Sequence, residues 1–235
     1  MLFSRSSIVA AVCSILMANV SHAQVTFTYN FGTTGNLTAF PTSTTGSGVT
    51  GGEFAIGNSN GTVSKPLDSS TTSSSSGYAG VSGEGFLTNT VGSGALNLMT
   101  TAYYGVTINS GGTPFTLTQF DFGSRSVNSG PQLYSLRSNA DGFATDIASG
   151  GLALGGIWTL KTNSPAATLA GVNPVEFRLY TYGGTGSTSP NSRIDDVTIT
   201  VNPVGIPVPE PSTIFAVGAG VLAVGRLLRR RRYVS

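Results

Sequence analysis

The sequence predicts an all-β fold, an antiparallel β-sandwich held between two terminal segments of different character. Three observations predict it. Gly, Ser and Thr together make up 92 of the 235 residues, while charged residues make up only 9%. Those three residue types are poor in helix interiors and common in turns. Twelve Phe and eight Tyr are spread along the chain, enough apolar surface to build a core that a disordered chain would lack. Short segments of period-2 alternation recur between Gly, Pro and Asn turns, the pattern of half-buried strands in an antiparallel sheet.

Residues 1–23 read as a secretory signal peptide. Arg5 precedes the apolar run Ile8–Ala18, and Ser21-His22-Ala23 supplies small residues at the positions a signal peptidase reads. Eleven residues are short of the roughly 20 that a bilayer core requires, which favours cleavage between Ala23 and Gln24. Cys13 is preceded by Ala10-Ala11-Val12, which does not suit a lipid-attachment site.

The body, residues 24–205, is long enough for one sandwich with a sizeable core. Val25–Phe31 opens it, with Val25, Phe27, Tyr29 and Phe31 on one face. Residues 41–52 and 68–83 are Ser/Thr/Gly-rich and read as long loops, with too little apolar surface to offset their ordering entropy. Leu96–Leu98 and Tyr103–Ile108 read as strands, and Gly111-Gly112-Thr113-Pro114 as a turn. In Phe115–Phe122, Phe115 and Leu117 alternate in one phase and Phe120 and Phe122 in the other, which predicts either a bulge near Thr118 or strong burial on both faces. Leu133–Leu136, Val175–Tyr182 and Ile194–Val201 complete the strands, and Asn139-Ala140-Asp141-Gly142 is a turn.

The tail has three ordered parts: Pro209-Glu210-Pro211, an apolar run Ile214–Gly225, and Arg229, Arg230, Arg231 and Arg232. The run spans 17 residues from Ser212 to Leu228 if Arg226 snorkels. It predicts a short C-terminal transmembrane helix whose Arg cluster stays in the cytoplasm. Residues 206–235 resemble the PEP-CTERM sorting signal of Gram-negative bacteria that make extracellular polysaccharide. The resemblance implies an exosortase partner acting at the inner membrane, removal of the tail, and delivery to the envelope or to a biofilm matrix.

A second resemblance lies in the body. Phe120-Asp121-Phe122-Gly123-Ser124-Arg125, Phe177-Arg178-Leu179-Tyr180 and Arg193-Ile194-Asp195-Asp196-Val197-Thr198-Ile199 look like secreted PEP-CTERM cargo and like jelly rolls of the carbohydrate-binding type. This implies a jelly roll, with glycan binding by analogy.

Composition and residue inventory exclude much chemistry. Arginines at the two ends set the sequence pI; residues 24–208 hold six basic and nine acidic side chains. A mildly acidic body without a basic stripe is a poor nucleic-acid binder. His22 and Cys13 are the chain's only His and Cys, and both precede Gln24. A Ser-His-Asp triad, a Cys nucleophile, a disulfide and an ordinary zinc site are therefore excluded from the mature chain. Carboxylates remain. Asp121, Asp141, Asp146, Asp195 and Asp196 are candidate oxygen ligands for a structural calcium ion, Asp195 and Asp196 beside the plainer reading of capping or pairing with Arg178 or Arg193. Asp195 shares the phase of Val197 and Ile199, so if the strand already runs there it points inward and needs a partner. Glu53, Glu84 and Glu176 show no spacing that singles out a glycosidase pair.

Trp158, Tyr180 and Tyr182, with Tyr103 and Tyr134, are candidate platforms for sugar rings; core roles are the plainer reading. The expectation is a non-enzymatic, structural or adhesive protein within extracellular polysaccharide. A carbohydrate-binding module is the alternative, and a carboxylate-dependent hydrolase or lyase the more distant one.

Overall fold

The computed structural model describes residues 20–21, 24–33, 35–65, 68–69, 77–78, 85–89, 94–185, 191–204 and 208–209. Gln24–Val204 form one compact unit. In the other unit, Val20 stands opposite Pro209 and Ser21 opposite Val208 in a short antiparallel ladder.

Eight strands among the described residues frame the body. They are β1 Val25–Tyr29, β2 Tyr103–Asn109, β3 Phe115–Ser126, β4 Leu133–Ser138, β5 Ala148–Gly151, β6, β7 Val175–Tyr182 and β8 Ser192–Pro203. β6 is split into Thr159–Lys161 and Ala167–Leu169. One sheet runs β1-β8-β3-β6 and the other β2-β7-β4-β5, with every neighbouring pair antiparallel. That order is the jelly roll, in which the chain crosses between sheets as it winds.

Between β1 and β2 the chain adds short strands at the sheet edges. Ser43–Thr45 pairs with β1, while Thr50–Gly51 and Ala55–Gly57 share an edge of β2. Gly85–Asn89 takes the upper part of β8, opposite Ser192–Ile194. Residues 41–52 are therefore not one long loop: their threonines and glycines find ladder partners on strands already in place. Of the second expected loop, Asp68–Ser69 pairs with Gly85–Phe86, and the Thr/Ser run at residues 71–76 lies outside the described residues.

Alternation builds the core. Val25, Phe27, Tyr29, Val106, Ile108, Phe115, Leu117, Phe120, Phe177, Leu179, Val197, Ile199 and Val201 are all buried in one cluster. Phe177 of β7 lies 6.4 Å from Phe115 and 6.2 Å from Phe120 of β3, ring centre to ring centre, so aromatic contacts join the two sheets. A polar lock joins them near one end. The Tyr104 hydroxyl donates to the Ser192 carbonyl at 2.8 Å, and the Ser192 and Thr181 hydroxyls lie 2.9 Å apart.

The predicted bulge is present. Leu117 pairs with Val201 and Gln119 with Thr200, leaving Thr118 as the extra residue on β3. A second irregularity lies opposite. Asp121 pairs with Thr198 but Gly123 pairs with Asp195, so β8 carries the extra residue there. Asp196 absorbs it with a left-handed backbone, φ 46°, a conformation that Asp tolerates better than most side chains.

Two strand expectations change. Leu96–Leu98 is not a strand, because the Asn97 side chain accepts the Met99 N–H at 2.9 Å and turns the chain there. The first strand ends at Tyr29 because Phe31 adopts φ 52°, although Phe31 still reaches the core. No α-helix occurs among the described residues. Ile214–Gly225, the expected membrane segment, lies outside them, as do residues 1–19 of the expected signal peptide.

Candidate functional site

The densest polar arrangement lies on the outer face of the first sheet, where the β8 bulge meets β3. Ile194 and Val197 both enter the core although they are three positions apart, so the bulge shifts the phase between them. Asp195 consequently stands opposite Gly123 on the outer face. This corrects the inward placement that simple alternation predicted.

A short strap covers this place. A Cβ on Gly123 would collide with the Tyr78 hydroxyl, and a Cβ on Gly77 with the Trp158 carbonyl. Tyr78 therefore lies over a bare stretch of β3, and Gly77 packs on the Trp158 backbone. The Tyr78 hydroxyl donates to Oδ2 of Asp196 at 2.7 Å. Burial first, then this bond to Asp196, raises the Tyr78 phenol above its ordinary range.

Asp195 is fully buried beneath this cover. Its Oδ1 accepts the Asp196 N–H at 2.8 Å. Its Oδ2 is buried with no hydrogen-bond partner among the described residues. Burial, and secondarily the adjacent Asp196 charge, push its carboxyl up to about 8. One unclaimed carboxylate oxygen suits a hard cation. Among the described residues, no group of three or more acidic side chains converges to complete such a shell. Arg178, one expected partner of this pair, is on the other sheet and is committed elsewhere.

There, on the outer face of the second sheet, the Arg178 guanidinium lies 4.3 Å from the Tyr103 ring centre and 3.9 Å from that of Phe143. Its Nε donates to Glu176 at 2.6 Å and its Nη1 to Ser59 at 3.0 Å. Arg137 stands directly opposite Arg178. It pairs with Asp146 at 2.7 Å and donates to the Phe143 carbonyl at 3.0 Å, fastening the 139–147 loop. Glu176, a candidate acid, is thus held as an ion pair. Asp141 caps that loop by accepting the Ala144 and Thr145 N–H groups. The Thr145 hydroxyl bond, ahead of these, holds its carboxyl below the ordinary range. The turn expected at Asp141 is there as a single 3-10 turn, Asn139–Asp141, closed by Gly142 at φ 70°.

The aromatic candidates are dispersed. Trp158 is 1% exposed and Tyr180 is fully buried, its ring edge-on to Tyr103 at 5.5 Å. Neither offers an open ring face, which corrects their candidate role as platforms; Tyr103 meets the Tyr180 ring edge-on. Tyr182 is partly exposed, at the end of β7. Tyr134 packs edge-on to Phe122 at 5.1 Å and donates to Asn163. The Tyr78 strap and the Arg178 stack were not anticipated. Their only sequence signals were Gly123 inside a strand and the Tyr103, Phe143 and Arg178 side chains, far apart along the chain.

Of the tail, Val208–Pro209 are described; Glu210, Pro211 and Arg229 to Arg232 lie outside the described residues, as does Ala23. Gln24 is exposed.

Comparison with known proteins gives one motif and a set of distant folds. Residues 207–232 match the PEP-CTERM protein-sorting motif. No curated protein matches the chain. Among solved structures, the K3 cleaved adhesin domain of Lys-gingipain from Porphyromonas gingivalis is similar over 52% of this chain and 78% of its own, at 17% identity and a TM-score of 0.36. The N-terminal cellulose-binding domain of Cellulomonas fimi β-1,4-glucanase C is similar over 62% of this chain and 86% of its own, at 18% identity and a TM-score of 0.33. A Clostridium thermocellum xylanase 10B structure, holding CBM22-1 and GH10 modules, matches over 65% of this chain and 26% of its own, at 12% identity and a TM-score of 0.33.

Proposed function

We propose that this chain is an exported, exosortase-processed protein whose jelly roll plays a structural or adhesive part in extracellular polysaccharide. The observation that carries the reading is the sorting-motif match at residues 207–232, which follows a predicted signal peptide and a folded body. Exosortase and signal peptidase act on it in turn, with the inner membrane as a transient station. The body works without catalysis. After Gln24 the sequence holds no His or Cys, and Glu176 is ion-paired with Arg178. A binding module for a specific glycan is the second reading, favoured by the hydroxyl-rich outer face of the first sheet.

The body needs no cofactor for this work. A structural calcium ion is proposed for one place only, the Asp195–Asp196 pair, because Oδ2 of Asp195 is an unclaimed acceptor. Calcium there raises the thermal midpoint of the wild type and leaves Asp195→Asn unmoved; no shift in the wild type removes the ion from the account.

The functional test uses protein recovered from the producing cell's matrix, mixed with that cell's own polysaccharide and pelleted, with released sugar ends assayed in the supernatant. Pelleting without sugar release is expected. Failure to pellet overturns the adhesive role, and release of reducing or unsaturated ends makes the protein an enzyme.

A further inference from the structure

The outer face of the first sheet below the Tyr78 strap is a ladder of neutral hydrogen-bonding side chains. Alternation places Thr26 and Thr28 of β1, Thr198, Thr200 and Asn202 of β8, and Thr116, Gln119 and Asp121 of β3 away from the buried Val, Ile and Phe of the same strands. Register then lines them up across the sheet. Thr45, Thr26, Thr200 and Gln119 form one row; Ser43, Thr28, Thr198 and Asp121 form the next; Asn202, Thr116 and Thr168 form a third. With strands about 4.8 Å apart and same-face residues about 6.7 Å apart along each strand, the result is a grid roughly 20 Å wide.

The grid is wired at its centre, where Thr200 is buried and the open positions lie around it. The Thr26 and Thr200 hydroxyls are 3.1 Å apart, Thr200 donates to Gln119 at 3.1 Å, and Gln119 donates to Asp121 at 2.7 Å. Asp121 also accepts the Asn163 N–H at 2.8 Å. The one carboxylate in these rows is therefore engaged on both oxygens. By contrast, no hydrogen bond among the described residues uses the Thr28 or Thr198 hydroxyl, and both side chains are partly exposed.

We infer that this grid is the binding face for a neutral polysaccharide chain. The inference rests on the matrix role proposed above and names its surface and ligand class. The chemistry selects the occupant by what the face lacks. A nucleic acid requires cations to replace its counterions, and the three rows contain none. A protein partner takes its affinity from buried aromatic, Met or Arg anchors, and the rows offer no such side chain. A membrane surface calls for a basic or apolar face. An acidic polysaccharide would meet Asp121 and no opposing charge. A chain of uncharged hydroxyls matches a grid of hydroxyls and amides in both donors and acceptors. Each hydrogen bond exchanged with water contributes little, so retention comes from many weak contacts along a repeating polymer and from many protein copies.

The test compares full-length wild type in mild detergent with the double variant Thr28→Val and Thr198→Val, which keeps shape and strand preference while removing two free hydroxyls. Thr107→Val, on the outer side of β2, is the control. Circular dichroism and the thermal midpoint establish that all three are folded alike. The probes are insoluble cellulose, calcium-alginate gel and the producer's own polysaccharide. Retention of wild type and Thr107→Val on cellulose, lowered at least about fivefold in the double variant and insensitive to salt, is the expected result. Equal retention of the double variant, or preference for alginate, overturns this face while leaving the matrix role standing. Absence of wild-type binding to the producer's own polysaccharide overturns the matrix role itself.

Discussion

The Tyr78 hydroxyl donates to Oδ2 of Asp196 across 118 residues of sequence, at 2.7 Å, directly above Gly123. The contact ties a segment that precedes β2 to the one irregular point of β8, where Asp196 adopts φ 46°. Hydrogen bonds to charged groups contribute about 1.5–3 kcal/mol, and loss of the donor leaves a half-buried carboxylate short of a partner. Tyr78→Phe should therefore lower stability by about 2 kcal/mol, measured as a shifted urea midpoint with unchanged slope. Gly123→Ala should displace the same ring and cost a similar amount. A neutral outcome for both would show that the strap contributes nothing to the folded state.

Asp195 gives a pH signature. Its folded carboxyl titrates at about 8, against about 3.9 in an unfolded chain. Between those values the folded protein holds a proton that the unfolded chain has lost, so this contribution is complete below about pH 4 and disappears as the pH rises to about 8. In calcium-free buffer, the denaturation midpoint of the wild type should fall over that window relative to Asp195→Asn, which has no proton to lose. Parallel profiles would place Asp195 in water. Calcium competes with that proton, so its stabilisation should grow as the pH rises.

The Arg178 stack tests how much of the second sheet's outer face depends on geometry and how much on charge. The planar guanidinium lies between the Tyr103 and Phe143 rings while two of its nitrogens meet Glu176. Lys retains the charge but neither the plane nor the fork. Arg178→Lys should cost about 1–2 kcal/mol and loosen the 139–147 loop, read as faster amide exchange at Phe143. Unchanged exchange there would mean that Arg137 and Asp141 fasten the loop without Arg178.

What was legible in the sequence follows from which forces are local. β1, β2, β7 and β8 announce themselves because one face of each is buried, and burial writes a period of 2 into residues such as Val197, Ile199 and Val201. The Thr118 bulge was legible because it flips the phase between Leu117 and Phe120. The Asp196 bulge was not, since Asp195, Val197 and Ile199 sit in formal alternation, and only pairing with β3 reveals the slipped register. Short edge strands such as Ser43–Thr45 take their order from neighbours and not from their own side chains. The Tyr180 ring is buried against Tyr103, which is distant in sequence. No local pattern distinguishes a ring that is open from one that is covered.

The tail makes the last prediction, and it separates sorting from anchoring. A permanent anchor needs only apolar length and flanking charge, and substitution within Pro209-Glu210-Pro211 leaves both intact. A motif read by a processing enzyme depends on that triplet. Glu210→Ala should then trap full-length protein in the inner membrane, while the wild type recovered from the matrix ends near Pro209 by mass spectrometry. Finding Arg229 to Arg232 still attached to matrix protein, or unchanged export of the variant, would mean that the triplet is a spacer and the Arg cluster an ordinary stop signal.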